Sequence, residues 1–501
     1  MQNKNKSAEH LYQYLSQKSR EAYQDPLLIA NIVLSKQLTS GRIMETYLEG
    51  KNPPKITFFF IAKRFFLYVV KNFIKYILCL ITVLFHKISG QKFCIKEARE
   101  LIILDTFFLM DRILKKGRFE DSFFPGLSQY LTKIRKAHAY VPRLFGSKDP
   151  FQLFRIFKIL KRDNVPVLTH FQVLGPTDYL EVVRFLVLYP FAVVRFIKKL
   201  GNSYEDKILR YGLWEALGGS ELELELRFLF GKRLSSSKVS KIKCIGWYEN
   251  QASDKTFYRG LRHVPGKAEI MGTQFFIRPT TYLFLKPDEQ EIPFNVVPDK
   301  VLVDGLGKCF DSNKVKVEVG PTLREKYIFE LGEQSSDGEF ILVLMSYYTH
   351  VTDFMLKTIC EVDWCVPVKI KFHPTDDLRK YDAKVLQNFS ITDEPLSDLL
   401  PKARIVLGRA SGAQLQAIVC GTPVIDIENP AEFSHNLMPK TGKGIIWDHA
   451  ANADEVTKLV RQFQESLLSN PIRLREEGLR IKSLYFSEPT EELINRAFGL
   501  D

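Results

Sequence analysis

The sequence predicts an α/β protein made of two Rossmann-like, doubly wound parallel-sheet domains, preceded by a basic helical extension. Three observations predict this. Runs such as 101–105 (LIILD) and 340–345 (FILVLM) are apolar without alternation, as in strands buried on both faces of a parallel sheet. Helix-length segments separate these runs, the order that builds βαβ units. The pattern also starts twice, on either side of the polar break 332–339 (GEQSSDGE). A chain of 501 residues accommodates this, since a domain takes roughly 100–200.

The expected layout is an extension over 1–94, a first sheet domain over 95–325, a second over 326–480 and a terminal helix over 481–501. In the first domain the strands are expected at 101–105, 138–142, 166–171, 242–247, 269–276 and 300–303. Helices are expected at 150–161, 176–200 and 204–233, and from Asp254 onward. The second domain reads as strands 340–345, 368–372, 390–392, 404–407, 423–426 and 444–447. Its helices are expected at 353–361, 395–400, 412–419, 453–469 and 471–484, with a last one at 490–497.

Hydrophobic residues make up 45% and charged residues 26%, which excludes extended disorder and fibrous repeats. Seven dispersed cysteines and nine histidines form neither a disulfide framework nor a zinc-ligand spacing; a reducing compartment and no metal or other cofactor are expected. The net charge of +13 is regional, with surpluses concentrated in 51–100 and 131–210. No basic-aromatic RNA motif or zinc finger accompanies it, so the expected partner is an anionic membrane surface and not nucleic acid.

The first thirty residues lack the apolar core of a signal peptide, which places the chain on the cytoplasmic side. The most apolar stretch, 55–88, is interrupted by Lys63, Arg64, Lys71 and Lys75, leaving an unbroken run only at 76–85. Aromatic and aliphatic residues mixed with Lys and Arg describe a helix lying in the headgroup plane. Segments 151–162 and 182–199 share the character. The expected location is peripheral, on the inner face of the cytoplasmic membrane.

Ligands of open α/β sheets bind at the carboxyl ends of the strands, so the chemistry is sought there. Arg409-Ala-Ser411-Gly412-Ala-Gln414 joins a strand to a helix, with Ser411 as N-cap and Gly412 leaving room for an anion at the helix start. Lys369-Ile-Lys-Phe-His373-Pro374 ends another strand, since Pro374 cannot continue a ladder. An imidazolium there would neutralise a phosphate and help it leave. A base is sought in the first domain among Glu249 (GWYEN), Asp304 (VDG) and Asp105 (LDT), ranked in that order. Arg143, Arg259 and Arg262 are candidates to hold an acidic acceptor.

The segments KIKFHPTDD and GRASGAQLQAIVCGTPVI resemble the donor half of two-Rossmann (GT-B) glycosyltransferases. They are most similar to bacterial surface-polysaccharide transferases that use CMP-activated sialic acid or Kdo. Those families often have a second hydroxyl beside the serine, where this chain has Ala410 and Gly412. The resemblance implies an enzyme whose donor site comprises His373, Pro374, Arg409, Ser411, Gly412 and Gln414. It also implies a nucleotide-sugar donor, a lipid-linked or polysaccharide acceptor, and inverting transfer without metal. A nucleotide-sugar epimerase and a CDP-glycerol-type polyol-phosphate transferase share this architecture and stand as alternatives.

Overall fold

The computed structural model describes residues 2–36, 46–47, 50–90, 99–145, 149–279, 282–331, 338–373, 376, 378–429 and 436–501. Among them, twelve strands form two six-stranded sheets in which every adjacent pair is parallel.

The first sheet contains β1 (Glu100–Leu109), β2 (His138–Phe145), β3 (Lys241–Trp247), β4 (Ala268–Gln274), β5 (Lys300–Val303) and β6 (Lys316–Val319), in the order β2-β1-β3-β4-β5-β6. The second contains β7 (Phe340–Leu344), β8 (Val368–Lys371), β9 (Ser390–Ile391), β10 (Ala403–Gly408), β11 (Val424–Ile427) and β12 (Trp447–Ala450). Its order is β12-β11-β10-β7-β8-β9. Each sheet therefore reverses its winding once, between β1 and β3 in the first and between β7 and β10 in the second. A crevice opens at the carboxyl edge at such a reversal. Along β1 the side chains alternate between two apolar clusters, Ile103 in one and Ile102 and Leu104 in the other, so both faces of the sheet are covered.

Several elements differ from expectation for identifiable reasons. The expected strand at 166–171 contributes only an isolated bridge, Tyr140 to Val167, because the chain turns into a short helix at His170–Val173. The helix expected over 204–233 is two, Tyr204–Ala216 and Glu221–Ser235. Gly218 takes φ 83° between them, and the Tyr68 backbone lies 3.3 Å from where its Cβ would stand. β12 begins where the expected strand ended, because Gly442 and Gly444 both take positive φ and hold the preceding residues in a turn.

The extension is not a separate layer. Helix α1 (Gln2–Ala22) and the segment to Lys36 contribute Leu11, Leu15, Tyr23, Leu28 and Leu34 to the first domain's core. Lys36 is wholly buried and lies 2.7 Å from both Asp288 and Glu291, while Lys255 lies 2.6 Å from Glu291. Residues 91–98, where the extension meets β1, lie outside the described residues.

The chain passes between the lobes twice, and the two passages are tied together. The Thr322 amide donates to the Ser487 carbonyl, and the Ser487 amide to the Thr322 hydroxyl, both at 2.9 Å. The helix Pro471–Tyr485 packs on the second core, whereas Glu491–Phe498 inserts Ile494, Ala497 and Phe498 into the first. At this crossing Gly305 lies directly beneath Tyr485, whose backbone a Cβ there would overlap. Replacing Gly305 by alanine is expected to cost at least about 1–3 kcal/mol, because backbone cannot yield as a side-chain tip can. An unchanged urea midpoint for this variant would contradict the close approach.

Candidate functional site

In the first sheet the edge at the winding reversal is dominated by buried charge. Asp105 of β1 sits opposite Gly246 of β3 and is fully buried. Its carboxylate accepts from Arg143 at 2.5 Å and Arg227 at 2.9 Å, and Arg143 also reaches Asp254 at 2.6 Å. Burial alone would raise the Asp105 carboxyl, but the two guanidiniums overcome it and hold it below the usual range. A carboxylate so paired is a poor proton acceptor, so Asp105 is scaffold and not base. Arg143, read as an acceptor ligand, is likewise consumed by two carboxylates and buried.

Asp304 is also fully buried, with Lys308 Nζ 2.7 Å from Oδ1 and the Lys308 ammonium over the Phe486 ring. It lies under the returning chain, away from any open surface. Arg259 lies in the last turn and Arg262 at the end of the helix Ala252–Leu261, which runs back from the carboxyl edge toward the amino edge. There Arg262 pairs with Asp299, the residue before β5, at 2.7 Å, and Arg259 donates to the Pro26 carbonyl at 3.2 Å. Neither stands at the carboxyl edge.

Glu249 is placed differently. It follows β3 at the winding reversal, is half-buried, and accepts from Trp247 Nε1 at 2.9 Å and Gln251 Nε2 at 2.6 Å. Burial pushes its carboxyl up, the Trp247 hydrogen bond opposing in part. Trp247 packs edge-on against Phe123 at 4.8 Å and beside Phe276 at 5.4 Å, with Arg324 over its face. An aromatic floor under a basic carboxylate suits a sugar hydroxyl.

In the second sheet β7 separates β8 from β10, so His373 past β8 and Ser411 past β10 share one edge with a single strand between them. Neighbouring strands are about 4.8 Å apart, so the two strand ends stand roughly 10 Å from one another along this edge. Ser411 caps the helix Gly412–Val419: Oγ accepts from the Ala413 amide at 3.4 Å, and Gln414 reaches back to the Ser411 amide at 3.3 Å. A Cβ at Gly412 would meet nothing within 4 Å, so the helix start faces open space. Its dipole favours an anion.

Two residues read as donor ligands prove to build this loop. Arg409 is 5% exposed; it pairs with Asp426 and, at 2.9 Å, with Glu428. Gln414 is 1% exposed and donates to the other Asp426 oxygen at 3.0 Å. Between them Ala410 takes φ 51°, a costly conformation for a residue with a Cβ. The buried ion pair pins the turn that presents Ser411. Pro374 lies outside the described residues.

His373 is half-buried, with its ring edge-on to Tyr347 at 5.1 Å. Burial pulls its imidazole below the usual value, Asp376 opposing in part.

Sequence reasoning missed three groups. Tyr348, following β7, bonds its hydroxyl to that of Tyr282 across the lobes; the strand-end rule applied to FILVLMSYY would have found it. His449 of β12 places Nδ1 3.1 Å from Asp426, beyond the end of the strand as expected from sequence. Glu325, in the passage between lobes, is buried and its carboxyl is pushed up to about 7, Arg324 opposing. No periodic signal marks it.

No family model and no curated protein matches the chain. Among solved structures it is similar to Acinetobacter baumannii MurG, 12% identical over 80% of this chain and 99% of that one, with TM-score 0.41. It is also similar to Neisseria meningitidis UDP-GlcNAc 2-epimerase bound to UDP-GlcNAc (11%, 80% and 100%, TM-score 0.44). A third is the wall teichoic acid polymerase TagF (9%, 88% and 97%, TM-score 0.40). The assignment of two Rossmann-like domains rests on strand order and parallel register, not on these likenesses.

Glu249→Gln and Asp105→Asn separate the two carboxylate roles. The first is expected to lower turnover about 10²–10⁴-fold with the fold intact. The second strands two guanidiniums in the core and is expected to cost about 3–5 kcal/mol of stability. Because the Asp105 carboxyl is held low when folded, its contribution exists above its unfolded value and fades as pH falls. Turnover assays and urea unfolding of both variants check the assignment; the reverse pattern would refute it.

Proposed function

We propose that the protein is a membrane-peripheral glycosyltransferase. It moves a sugar from a nucleotide-activated donor, CMP-linked, to a lipid-linked or polysaccharide acceptor of a surface glycan. The observation that carries this reading is that His373 and the Ser411–Gly412 helix start share the carboxyl edge of the second sheet, on either side of β7. Glu249 on its aromatic floor stands at the winding reversal of the first.

Glu249 takes the proton of the acceptor hydroxyl as that oxygen attacks the anomeric carbon. The bond from that carbon to the phosphate oxygen breaks with inversion. Negative charge growing on the departing phosphate is met by the amides of the helix start and by His373. No divalent metal is required for this charge balance, and turnover is expected to survive a chelator.

Membrane association is supported by the helix α2 (Phe58–Ser89). Among the described residues it is the one helix long and apolar enough to cross a membrane by length and composition. It instead packs lengthwise on the first domain, from Phe60 against Tyr211 to His86 against Phe157. Its amphipathicity is inverted. The side turned to the protein carries Tyr68, Asn72, Cys79, Thr82, His86 and Ser89, whereas Phe58, Phe66, Phe73, Leu84 and Ile88 face outward. Leu180, Val187 and Phe191 of Pro176–Ile197 are exposed as well. Such a face suits the acyl boundary of a leaflet, with Lys63 and Lys71 exposed toward headgroups. The working location is the inner face of the cytoplasmic membrane, with no role for nucleic acid.

A thermal-shift series with CMP, CDP, UDP and GDP tests the donor. CMP is expected to raise Tm most. Binding is expected to tighten as pH falls from 8 to 6, because a phosphate raises the imidazole pKa and proton uptake accompanies binding. His373→Ala should abolish that dependence. Preference for CDP with release of CMP from CDP-glycerol would move the assignment to polyol-phosphate transfer; interconversion of a sugar nucleotide without acceptor would move it to epimerase. Sedimentation with phosphatidylglycerol vesicles should fall with salt and be lost in Phe66→Glu/Phe73→Glu; equal binding to duplex DNA would refute the membrane reading.

A further inference from the structure

Where the amino-terminal turns of the long helix Phe58–Ser89 meet the helices Pro176–Ile197 and Tyr204–Ala216, they leave a groove of about 1150 Å³. That exceeds the roughly 300–1,000 Å³ of small-ligand pockets. It includes no residue from the carboxyl edge of either sheet, so it is distinct from the cleft described above. Its walls are apolar, with Ile61, Phe65, Val194 and Trp214 prominent. Its charged lining is entirely cationic: Lys55, Lys198, Lys207 and Arg210, with no Asp or Glu among them. Arg210 is occupied by the carbonyls of Leu200 and Gly201, at 3.1 and 2.7 Å. Lys55, Lys198 and Lys207 are exposed.

An apolar channel with a cationic mouth is complementary to an amphiphile with an anionic head. A second copy of the chain would bring two basic rims together, and water alone would leave the aromatic walls wet. The groove also opens beside the outward apolar side of the same helix, where Phe58 is 86% and Phe66 66% exposed, so a chain entering it comes from the layer that this side contacts. We propose that the groove holds the acyl chain of an anionic phospholipid, its phosphate met by Lys55, Lys198 and Lys207. The inference rests on the membrane reading but adds to it a discrete, stoichiometric lipid site. An acyl chain seated there would fix how the helix is rotated about its axis on the membrane, which a smooth apolar face alone does not.

The test uses the full chain, purified in detergent and stripped of lipid. It is mixed with phosphatidylglycerol or phosphatidylcholine, and native mass spectrometry counts bound lipid. The wild type is expected to retain one phosphatidylglycerol per chain and at least tenfold less phosphatidylcholine. Ala62→Trp fills the groove from an exposed position, and Lys198→Glu/Lys207→Glu reverses its mouth; both should reduce retention about tenfold. Ala62→Trp should still sediment with vesicles, because the outward apolar side remains. Wild-type retention in both variants, equal retention of the two lipids, or a lipid-free dimer dissociated by Ala62→Trp would each overturn the site. So would a wild type that sediments with vesicles yet carries no bound lipid, and that result leaves the membrane reading standing. Circular dichroism melts of both variants establish that the fold persists.

Discussion

A parallel sheet delivers the carboxyl end of every strand to one edge, and that constraint governs the functional architecture of this molecule. With all pairs parallel in both sheets, only the loops after strands can gather at a common edge, and only a reversal of winding opens room between them. In the second sheet the reversal separates the loop after β7 from the loop after β10. In the first it lies between β1 and β3. Three of those strand ends lead to Tyr348, Ser411 and Glu249, while Asp105 lies within β1, which runs on to Leu109, opposite Gly246 near the end of β3.

Charge then decides which of the polar residues at these edges remain available. A buried guanidinium or carboxylate is tolerated only when paired, and each sheet uses this to brace its edge. In the first, Asp105, Arg143, Asp254 and Arg227 form a closed set joining β1, β2 and two helices. In the second, Arg409, Asp426, Glu428 and His449 join the ends of β10, β11 and β12. Glu249 differs in accepting from two neutral donors, and the helix start at Gly412 faces open space.

This distinction explains what was legible in the sequence. Buried strands announce themselves by uninterrupted Val, Ile and Leu, so β5 and the helix Gly412–Val419 fall where expected and the two-domain order is readable. β6, with KVEV, is a half-exposed edge strand and carries no such signal. The strand-end rule selects Ser411, His373 and Glu249. It also selects Arg143, Arg409 and Asp105, because residue type and position cannot report whether a charge is already paired. Pairing depends on partners 17 to 122 positions away, from Arg409 with Asp426 to Asp105 with Arg227, and no local pattern encodes it. His449 escaped for a different reason: two glycines with positive φ delay the start of β12, so its strand end was sought too early.

The long helix carries the same reasoning to the molecular surface. A helix packed on a soluble domain turns its apolar stripe inward. Phe58–Ser89 does the opposite along its whole length, while the polar atoms on its inward side are largely satisfied locally. Asn72 donates to the Tyr68 carbonyl, Thr82 to Leu78 and Ser89 to His86. The inward contact therefore needs little apolar area, since Tyr68 and Tyr76 anchor it through carbonyls of the neighbouring helix Pro176–Ile197, at 2.7 and 3.2 Å. What the helix saves for the outside is some nine turns of phenylalanine, isoleucine and leucine, about 48 Å long at 1.5 Å per residue. Arg64 and Lys75 are held at its flank by Glu215 and Glu223, which leaves that length free of carboxylates facing outward. A surface of that length and sign is what the proposed membrane contact rests on.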